Sequence, residues 1–405
     1  MKILHTADWH LGAQFGPEKR LEEFGKTLDW LAETLKREKI EAMLIAGDVF
    51  DTGIPPNSAV EQYYNFLLKA RDAGVRQIIV IAGNHDSASF LDAPKALLKQ
   101  LNIYVAGKAD PEFDSLIIPL KEADGTVAAA VCAVPYLRDR DIRQAVAGEA
   151  VDQQLSRRTQ AVIEYYRNIT KRARELYPGL PVIATGHFYA TGGQITPDAV
   201  IGTLSEVPVN QLSQGIDYLA LGHLHLPQTV AKLENCRYSG SLLRMSFAEI
   251  KTEPEADDRK TVLVVDTADP AALPKEIRIP QFQRIEVISG TVAELEQTIM
   301  EYKAENASVW LHAVNTGEFL SSLDGQLRSL CDNSQVRIIK STNTEENPAV
   351  QVRRQSNEQP LNELNPEQVF TDLIAKLDLT EEKRAAWLEA FRGAVREVEE
   401  ADVNE

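Results

Sequence analysis

The chain has 405 residues, 44% hydrophobic and 25% charged, with a formal net charge of −17 at pH 7. That is the composition of a globular protein large enough for two or three domains and a substantial core. It excludes a helical membrane span, because no apolar run approaches the roughly 20 residues a bilayer demands. It also excludes a protein that grips nucleic acid by bulk positive charge.

The opening Met1-Lys2-Ile3-Leu4-His5 reads as a first strand and not as a signal peptide. Leu21, Phe24, Leu28, Leu31 and Leu35 recur at helical spacing, and Ala42 to Ala46 is a buried-strand run ending at Gly47-Asp48. Asn57-Ser58 can cap a helix whose apolar face carries Val60, Tyr64, Leu67 and Leu68. Gln77 to Ala82 is a strand ending at Gly83-Asn84-His85, Pro181 to Thr185 leads into Gly186-His187, and Asp217 to Leu221 leads into Gly222-His223. Arg157-Arg158 begins a long helix and reads as a solvated face. Strands dominate from Gln228 to about Pro280. From Gln283 a βαβαβ pattern begins, with strands at Ile285–Ile288, Val309–His312 and Val336–Ile339 and helices at Val292–Ala304 and Phe319–Cys331. It reads as a small separate domain. Ser341 to Glu363 is polar and aperiodic, with Pro348 and Pro360, and reads as a linker. After it come two short amphipathic helices, one with Val369, Phe370, Leu373, Ile374 and Leu377, the other with Trp387, Leu388, Phe391 and Val395. Alone they cannot bury those faces, so they dock on the body or on a partner. The stretch Ser341–Glu405 holds 15 acidic and 7 basic residues, so nearly half of the surplus negative charge lies there. Cys132, Cys236 and Cys331 are odd in number and far apart, which suggests buried thiols in a reducing compartment and argues against a zinc-thiolate site.

Five clusters carry the chemistry: Asp8-Trp9-His10, Gly47-Asp48, Gly83-Asn84-His85-Asp86, Gly186-His187 and Gly222-His223-Leu224-His225. They hold five of the seven histidines, and four of them close an apolar strand. Satisfied core histidines and turn caps would not be expected to repeat that pattern, and metal ligation is the simplest reason for it. Open α/β sheets bind ligands at the carboxyl ends of their strands, so one rim of one sheet is expected to collect every candidate. Two divalent cations about 3.5–4 Å apart can activate a water and clamp the attacking and leaving oxygens of a phosphate ester. Asp48, alone at a strand end, suits the bridging carboxylate. Asp8 and His10, two apart on an extended segment, can point to one face, and so can His223 and His225. Asn84 offers a neutral oxygen and His187 completes the set. Mixed nitrogen and oxygen ligation suits Mn²⁺, Fe²⁺ or Zn²⁺ better than Mg²⁺. His5 reads as core or as support to the site, and His312 as part of an apolar strand. Arg138, Arg140 and Arg143, interleaved with Asp139 and Asp141, read equally as a DNA contact or as a solvated loop.

The combination resembles the calcineurin-like metallophosphoesterase superfamily over roughly residues 1–270. More narrowly, His5 to Gly12, Gly47 to Thr52 and Gly83 to Ser87 look like the SbcD family of nuclease subunits. The resemblance implies a metallophosphoesterase sandwich over 1–280, a βαβαβ capping domain over 281–341, a linker over 342–364 and a C-terminal helical hairpin over 365–400. It implies two Mn²⁺, with Mg²⁺, Fe²⁺ or Zn²⁺ as possible substitutes. One ion would be held by Asp8, His10, Asp48 and His225, the other by Asp48, Asn84, His187 and His223. His85 would act at the scissile phosphate, as transition-state stabiliser or as acid to the leaving 3′ oxygen. The implied activity is 3′-to-5′ exonuclease on duplex ends and endonuclease on hairpins or single strands. An SbcC-like SMC-family ATPase would seat the C-terminal helices, in a heterotetramer built on a nuclease homodimer, in the bacterial cytoplasm at the nucleoid. Archaeal members carry a second active-site histidine three residues after the bridging aspartate. Here that residue is Asp51, which is expected to orient His85 or to bind water. A phosphomonoesterase or cyclic-nucleotide phosphodiesterase of the same fold is the first alternative, disfavoured because a small substrate needs neither the added domain nor the tail. A structural DNA-end tether is the second, disfavoured by the intact ligand set.

Overall fold

The computed structural model describes residues 1–142, 151–194, 206–212, 214–250, 259–270, 272–344, 387, 388 and 391. Two six-stranded sheets make the frame. In the first the order is Lys275–Arg278, Thr261–Asp266, Lys2–Thr6, Ala42–Ala46, Gln77–Ile81, Ile103–Ala106, the last four parallel. In the second the order is Gln228–Val230, Leu233–Tyr238, Tyr218–Gly222, Val182–His187, Val127–Cys132, Ile117–Lys121, with parallel strands at its centre. The strands Ala42–Ala46, Gln77–Ile81 and Tyr218–Gly222 are buried on both faces, as parallel strands between two layers must be. This corrects the single rim expected from sequence. The four cluster-bearing strands belong to two sheets, because each run of apolar residues reports burial and not which sheet it joins.

One core fills the space between the sheets, with Leu44, Ile79 and Ile81 on the first and Ile183, Tyr218 and Ala220 on the second, and it continues through the second sheet to its other face, where Ala184, Leu219 and Leu221 lie towards Tyr166 and Ile169 of the helix Val151–Leu176. A second lies between the first sheet and the helices Leu21–Glu38 and Asn57–Asp72, built from Met43, Ile45 and Val80 against Phe24, Leu31, Tyr63 and Phe66. The layers therefore run helix, sheet, sheet, helix. The first helix buries Phe24, Leu28, Leu31 and Leu35 as its spacing predicts, while Leu21 at its start is half-exposed. The second begins at Asn57 behind Pro56, with no side-chain cap, and buries Ala59, Tyr63, Phe66, Leu67 and Ala70, leaving Leu68 half-exposed. Its apolar residues surround the axis, so periodicity alone does not select the buried face.

The small βαβαβ unit forms as a three-stranded sheet, Arg284–Gly290, Val309–Asn315 and Val336–Asn343, with helices Val292–Ala304 and Leu323–Leu330. Thr291 and Glu294 close a capping box on the first of these helices. The second starts four residues later than expected, because the backbone N–H and carbonyl of Leu320 pair with the Asn343 side chain. Two compact units divide the chain: Met1–Thr316 with Ser322–Thr342, and Gly317–Ser321 with Asn343–Glu405. The linker and hairpin expected over 342–400 lie outside the described residues, apart from residues 342–344 and the helical positions Trp387, Leu388 and Phe391. Among the described residues no helix is long and apolar enough to cross a membrane.

The two sheets approach each other closely at Gly222, where an added Cβ would drive into the backbone carbonyl of Ala46 and also meet Ala7 and His187. Gly222→Ala is expected to destabilise the fold by about 1–3 kcal/mol, read as a lower urea midpoint at unchanged slope.

Candidate metal centre

The loops that follow Lys2–Thr6 and Ala42–Ala46 run side by side. The Asp8 N–H donates to the Gly47 carbonyl (3.0 Å), that of His10 to Asp48 (3.0 Å) and that of Leu11 to Val49 (2.9 Å). Between the two ligand candidates, Trp9 turns into the core, fully buried, with Nε1 donating to Thr6 Oγ1 (3.0 Å) and its ring edge-on to Phe66. That inward anchor leaves Asp8 and His10 facing the site together. Asp8, His10, Asp48 and His223 all have positive φ, between 48° and 105°, where residues other than glycine are rare. Such strain persists only where surrounding contacts hold it. Here Asp86 is one holder: its buried carboxylate accepts the N–H groups of Val49 (3.1 Å), Phe50 (3.0 Å) and Gly83 (2.9 Å), stapling the second ligand loop to the third. Gly83 is needed at that junction, because a Cβ there would collide with Asp48.

The seven ligand candidates converge from both sheets. Asp48 stands in the middle, with Oδ2 3.1 Å from His187 Nε2 and 3.7 Å from His10 Nε2, while Oδ1 accepts the His85 N–H (2.8 Å). On one side His10 Nε2 and His225 Nε2 are 3.2 Å apart, and Asp8 joins them within 4.8 Å. On the other, Asn84 Oδ1 lies 3.0 Å from His187 Nε2 and 3.1 Å from His223 Nδ1. Asp8 is fixed by the His223 N–H, which donates to its carboxylate at 2.8 and 3.0 Å. His187 Nδ1 donates to the Ala46 carbonyl (2.9 Å) across the two sheets, so Nε2 is the ring atom that faces Asn84 Oδ1 and Asp48 Oδ2. A carboxylate, an amide oxygen and an imidazole nitrogen that converge in this way are a donor set that fits a divalent cation.

His85 lies outside this set. Its Nδ1 donates to the backbone carbonyl of Asp51 (2.8 Å), and its ring sits edge-on to His10 at 4.8 Å. Asp51 thus orients His85 through its main chain, while its carboxylate lies 3.3 Å from His10 Nδ1. The cleft beside these rings, about 290 Å³, is lined by His10, Asp51, His85, His223, His225 and Glu249 among others. Arg138 is held at the site's edge by donating to the Asp86 carbonyl (3.1 Å). The side chains of Arg140 and Arg143 lie outside the described residues. His5 is buried core, Nδ1 paired with the Tyr218 hydroxyl (3.0 Å), and burial pushes its pKa down to about 3. His312 pairs with Thr342 in the small domain. Sequence reasoning passed over Glu249 and Lys260. Glu249 is fully buried against His225 Nδ1 (3.3 Å) and Lys260 Nζ (2.5 Å), and a glutamate in an irregular segment gives no signal of that placement.

A match to the family of calcineurin-like phosphoesterases spans residues 1–227, more than half of the chain, and one to the type 5 capsule protein repressor C-terminal domain spans residues 281–377. The SbcD subunit of the SbcCD nuclease of Escherichia coli strain K12 is 32% identical over 394 residues, covering 95% of this chain and 95% of the relative. The chain belongs to the SbcD family of calcineurin-like phosphoesterases. The SbcD proteins of Bacillus subtilis strain 168 and Rhodobacter capsulatus are 36% and 34% identical, over 66% and 69% of this chain and 66% and 70% of theirs. The metallophosphoesterase fold carries a divalent-metal site, and the described residues offer three candidate groups of ligand atoms for one: Asp8, His10 and His225; Asp8, Asp48 and His187; and His10, Asp51 and His85.

The electrostatics set a pH dependence for metal loading. Burial opposes charging of His187, but the adjacent Asp48 carboxylate outweighs it and raises the imidazole to about 9. Burial likewise opposes ionisation of Asp48, yet His187 and His10 hold its carboxyl well below the usual range. Below about pH 9 a cation must therefore displace the His187 proton. Affinity for the ion nearest His187 is expected to rise with pH up to about 9, by at most about tenfold per unit, with one proton released. Titration calorimetry in buffers of different ionisation enthalpy measures that release.

Proposed function

We propose that the chain is the nuclease subunit of an SbcCD-type complex, a two-metal phosphodiester hydrolase acting on DNA ends and hairpins with an SbcC-like SMC-family ATPase. The observation that carries this reading is the convergence of Asp8, His10, Asp48, Asn84, His187, His223 and His225 about one central carboxylate. Asp8, His10, Asp48 and His225 would hold one cation and Asp48, Asn84, His187 and His223 the other, with Mn²⁺ the favoured metal. When bound, the ions supply a nucleophile at neutral pH and neutralise charge on the phosphate. The remaining chemistry belongs to side chains. With Nδ1 committed to the Asp51 carbonyl, Nε2 of His85 is the atom left for substrate, and as imidazolium it donates to a phosphoryl or leaving oxygen. Arg138, anchored on Asp86, supplies a positive charge at the edge of an otherwise acidic protein. The βαβαβ unit would act as the capping domain, and the segment 365–400 would bind the ATPase. The nuclease homodimer within a heterotetramer, and work at the bacterial nucleoid, follow from the same family reading.

The deciding experiment compares turnover of a linear DNA duplex with that of bis(p-nitrophenyl) phosphate, in Mn²⁺ and in Mg²⁺, with and without the ATPase. Faster DNA turnover that requires metal supports the nuclease. Small-diester turnover with inert DNA would favour the phosphodiesterase alternative. His85→Ala is expected to keep two bound ions while DNA hydrolysis falls by about 10²–10⁴-fold; full hydrolysis in that variant would remove His85 from the mechanism.

A further inference from the structure

The short turn Phe247–Glu249 touches the small domain with one end and a ligand candidate with the other. At one end the Phe247 ring meets Phe15 edge-on (4.8 Å) and His312 of the small domain (5.2 Å). Phe15 in turn stacks on Trp310 (5.8 Å), in an apolar cluster with Ile285, Ile250 and Ile339. At the other end Glu249, 1% exposed, places Oε1 3.3 Å from His225 Nδ1. Its second oxygen pairs with Lys260 Nζ at 2.5 Å, and Lys260, 5% exposed, also donates to the His225 backbone carbonyl (2.7 Å) and to Ser241 Oγ (2.8 Å). The buried pair therefore grips His225 twice, by ring and by main chain. A carboxylate on Nδ1–H fixes the tautomer that presents Nε2, and Nε2 is the atom that faces His10.

We propose that Glu249, backed by Lys260, is the positioning residue of His225, and that Phe247 makes this positioning depend on how the small domain is seated. A buried ion pair is weak support for stability, since desolvation offsets most of its attraction. Registry of a ligand accounts for its presence better. Two apolar residues further along the turn's contacts, Phe15 and Trp310, carry the small domain's position to it. The proposal rests on the reading of His225 as a metal ligand, and the test separates the two.

Mn²⁺ binding to the full chain is measured by titration calorimetry for the native protein, Glu249→Ala, Phe247→Ala, the double variant and His225→Ala, with circular dichroism as the check on folding. Glu249→Ala is expected to weaken one of two ions by about ten- to a hundredfold and to leave the other within about twofold. Phe247→Ala, whose ring lies away from the ions, is expected to weaken the same ion several-fold, and the double variant to be no weaker than Glu249→Ala alone, as for residues acting in series. Unchanged affinities in Glu249→Ala, with one ion lost in His225→Ala, overturn the proposal and leave the metal centre intact. Additive losses in the double variant overturn the link through Phe247. Two ions retained in His225→Ala would overturn the underlying ligand assignment. Should Glu249→Ala unfold, Glu249→Gln keeps an acceptor for Nδ1–H without the charge. A smaller loss at the same ion then supports the proposal, and an unchanged affinity overturns it.

Discussion

The site depends on the contact between two sheets at the carbonyl of Ala46. That oxygen ends the strand Ala42–Ala46 in the first sheet, accepts Nδ1–H from His187 of the second, and leaves room beside it only for Gly222. One acceptor thus sets the tautomer of His187, the spacing of the sheets and the direction from which His223 enters. Strand ends in a single sheet lie along a line about 4.8 Å apart per strand, so distant strands cannot surround a point. Two sheets whose carboxyl ends face each other can. Asp8, His10, Asp48 and Asn84 arrive from one side and His187, His223 and His225 from the other, with Asp48 between them.

That convergence is costly before any cation binds. Four ligand candidates hold left-handed backbone, each at roughly 1–3 kcal/mol where strain is fully felt. Two carboxylates and four imidazoles are crowded together, and their protonation is pulled apart accordingly: burial raises Asp8, His187 keeps Asp48 ionised, and burial lowers His223 to about 3. The compensation is local and identifiable. Trp9 fills the core behind the first loop, Asp86 satisfies three amides of the second and third, and the paired backbones of residues 8–11 and 47–49 hold both loops in register. These contacts preorganise the ligands, so little rearrangement is left for metal binding to drive.

Much of this was legible in the sequence, because strand-end motifs are local. An apolar run that stops at Gly plus Asp, Asn or His announces its own boundary, and the βαβαβ unit announces itself by alternating periods. What the sequence could not carry were choices made between distant segments. Membership of one sheet or two leaves no mark in a run buried on both sides. The face that helix Asn57–Asp72 turns inward was hidden because apolar residues ring it. That Asp51 orients His85 is an expectation the sequence can carry, but not which of its atoms does so: the carbonyl meets His85 and the carboxylate turns to His10. Glu249 and Lys260, eleven positions apart in sequence, resemble any surface pair until the fold buries them against His225.

The small domain gains a meaning from where it rests. Its apolar cluster includes Phe15, five positions after His10 on the same loop, and borders Phe247, two positions before Glu249. His10 and His225, whose Nε2 atoms face each other at 3.2 Å, are therefore each a few residues from the same support. The other group of ligand candidates, Asn84, His187 and His223, is braced by the sheets themselves through Ala46 and Asp8. One group of ligand candidates is thus braced by the sheets and the other lies beside the apolar contacts of the βαβαβ unit. A displacement of that domain would act on His10 and His225 first, which makes the two halves unequal in what can perturb them even though Asp48 joins both.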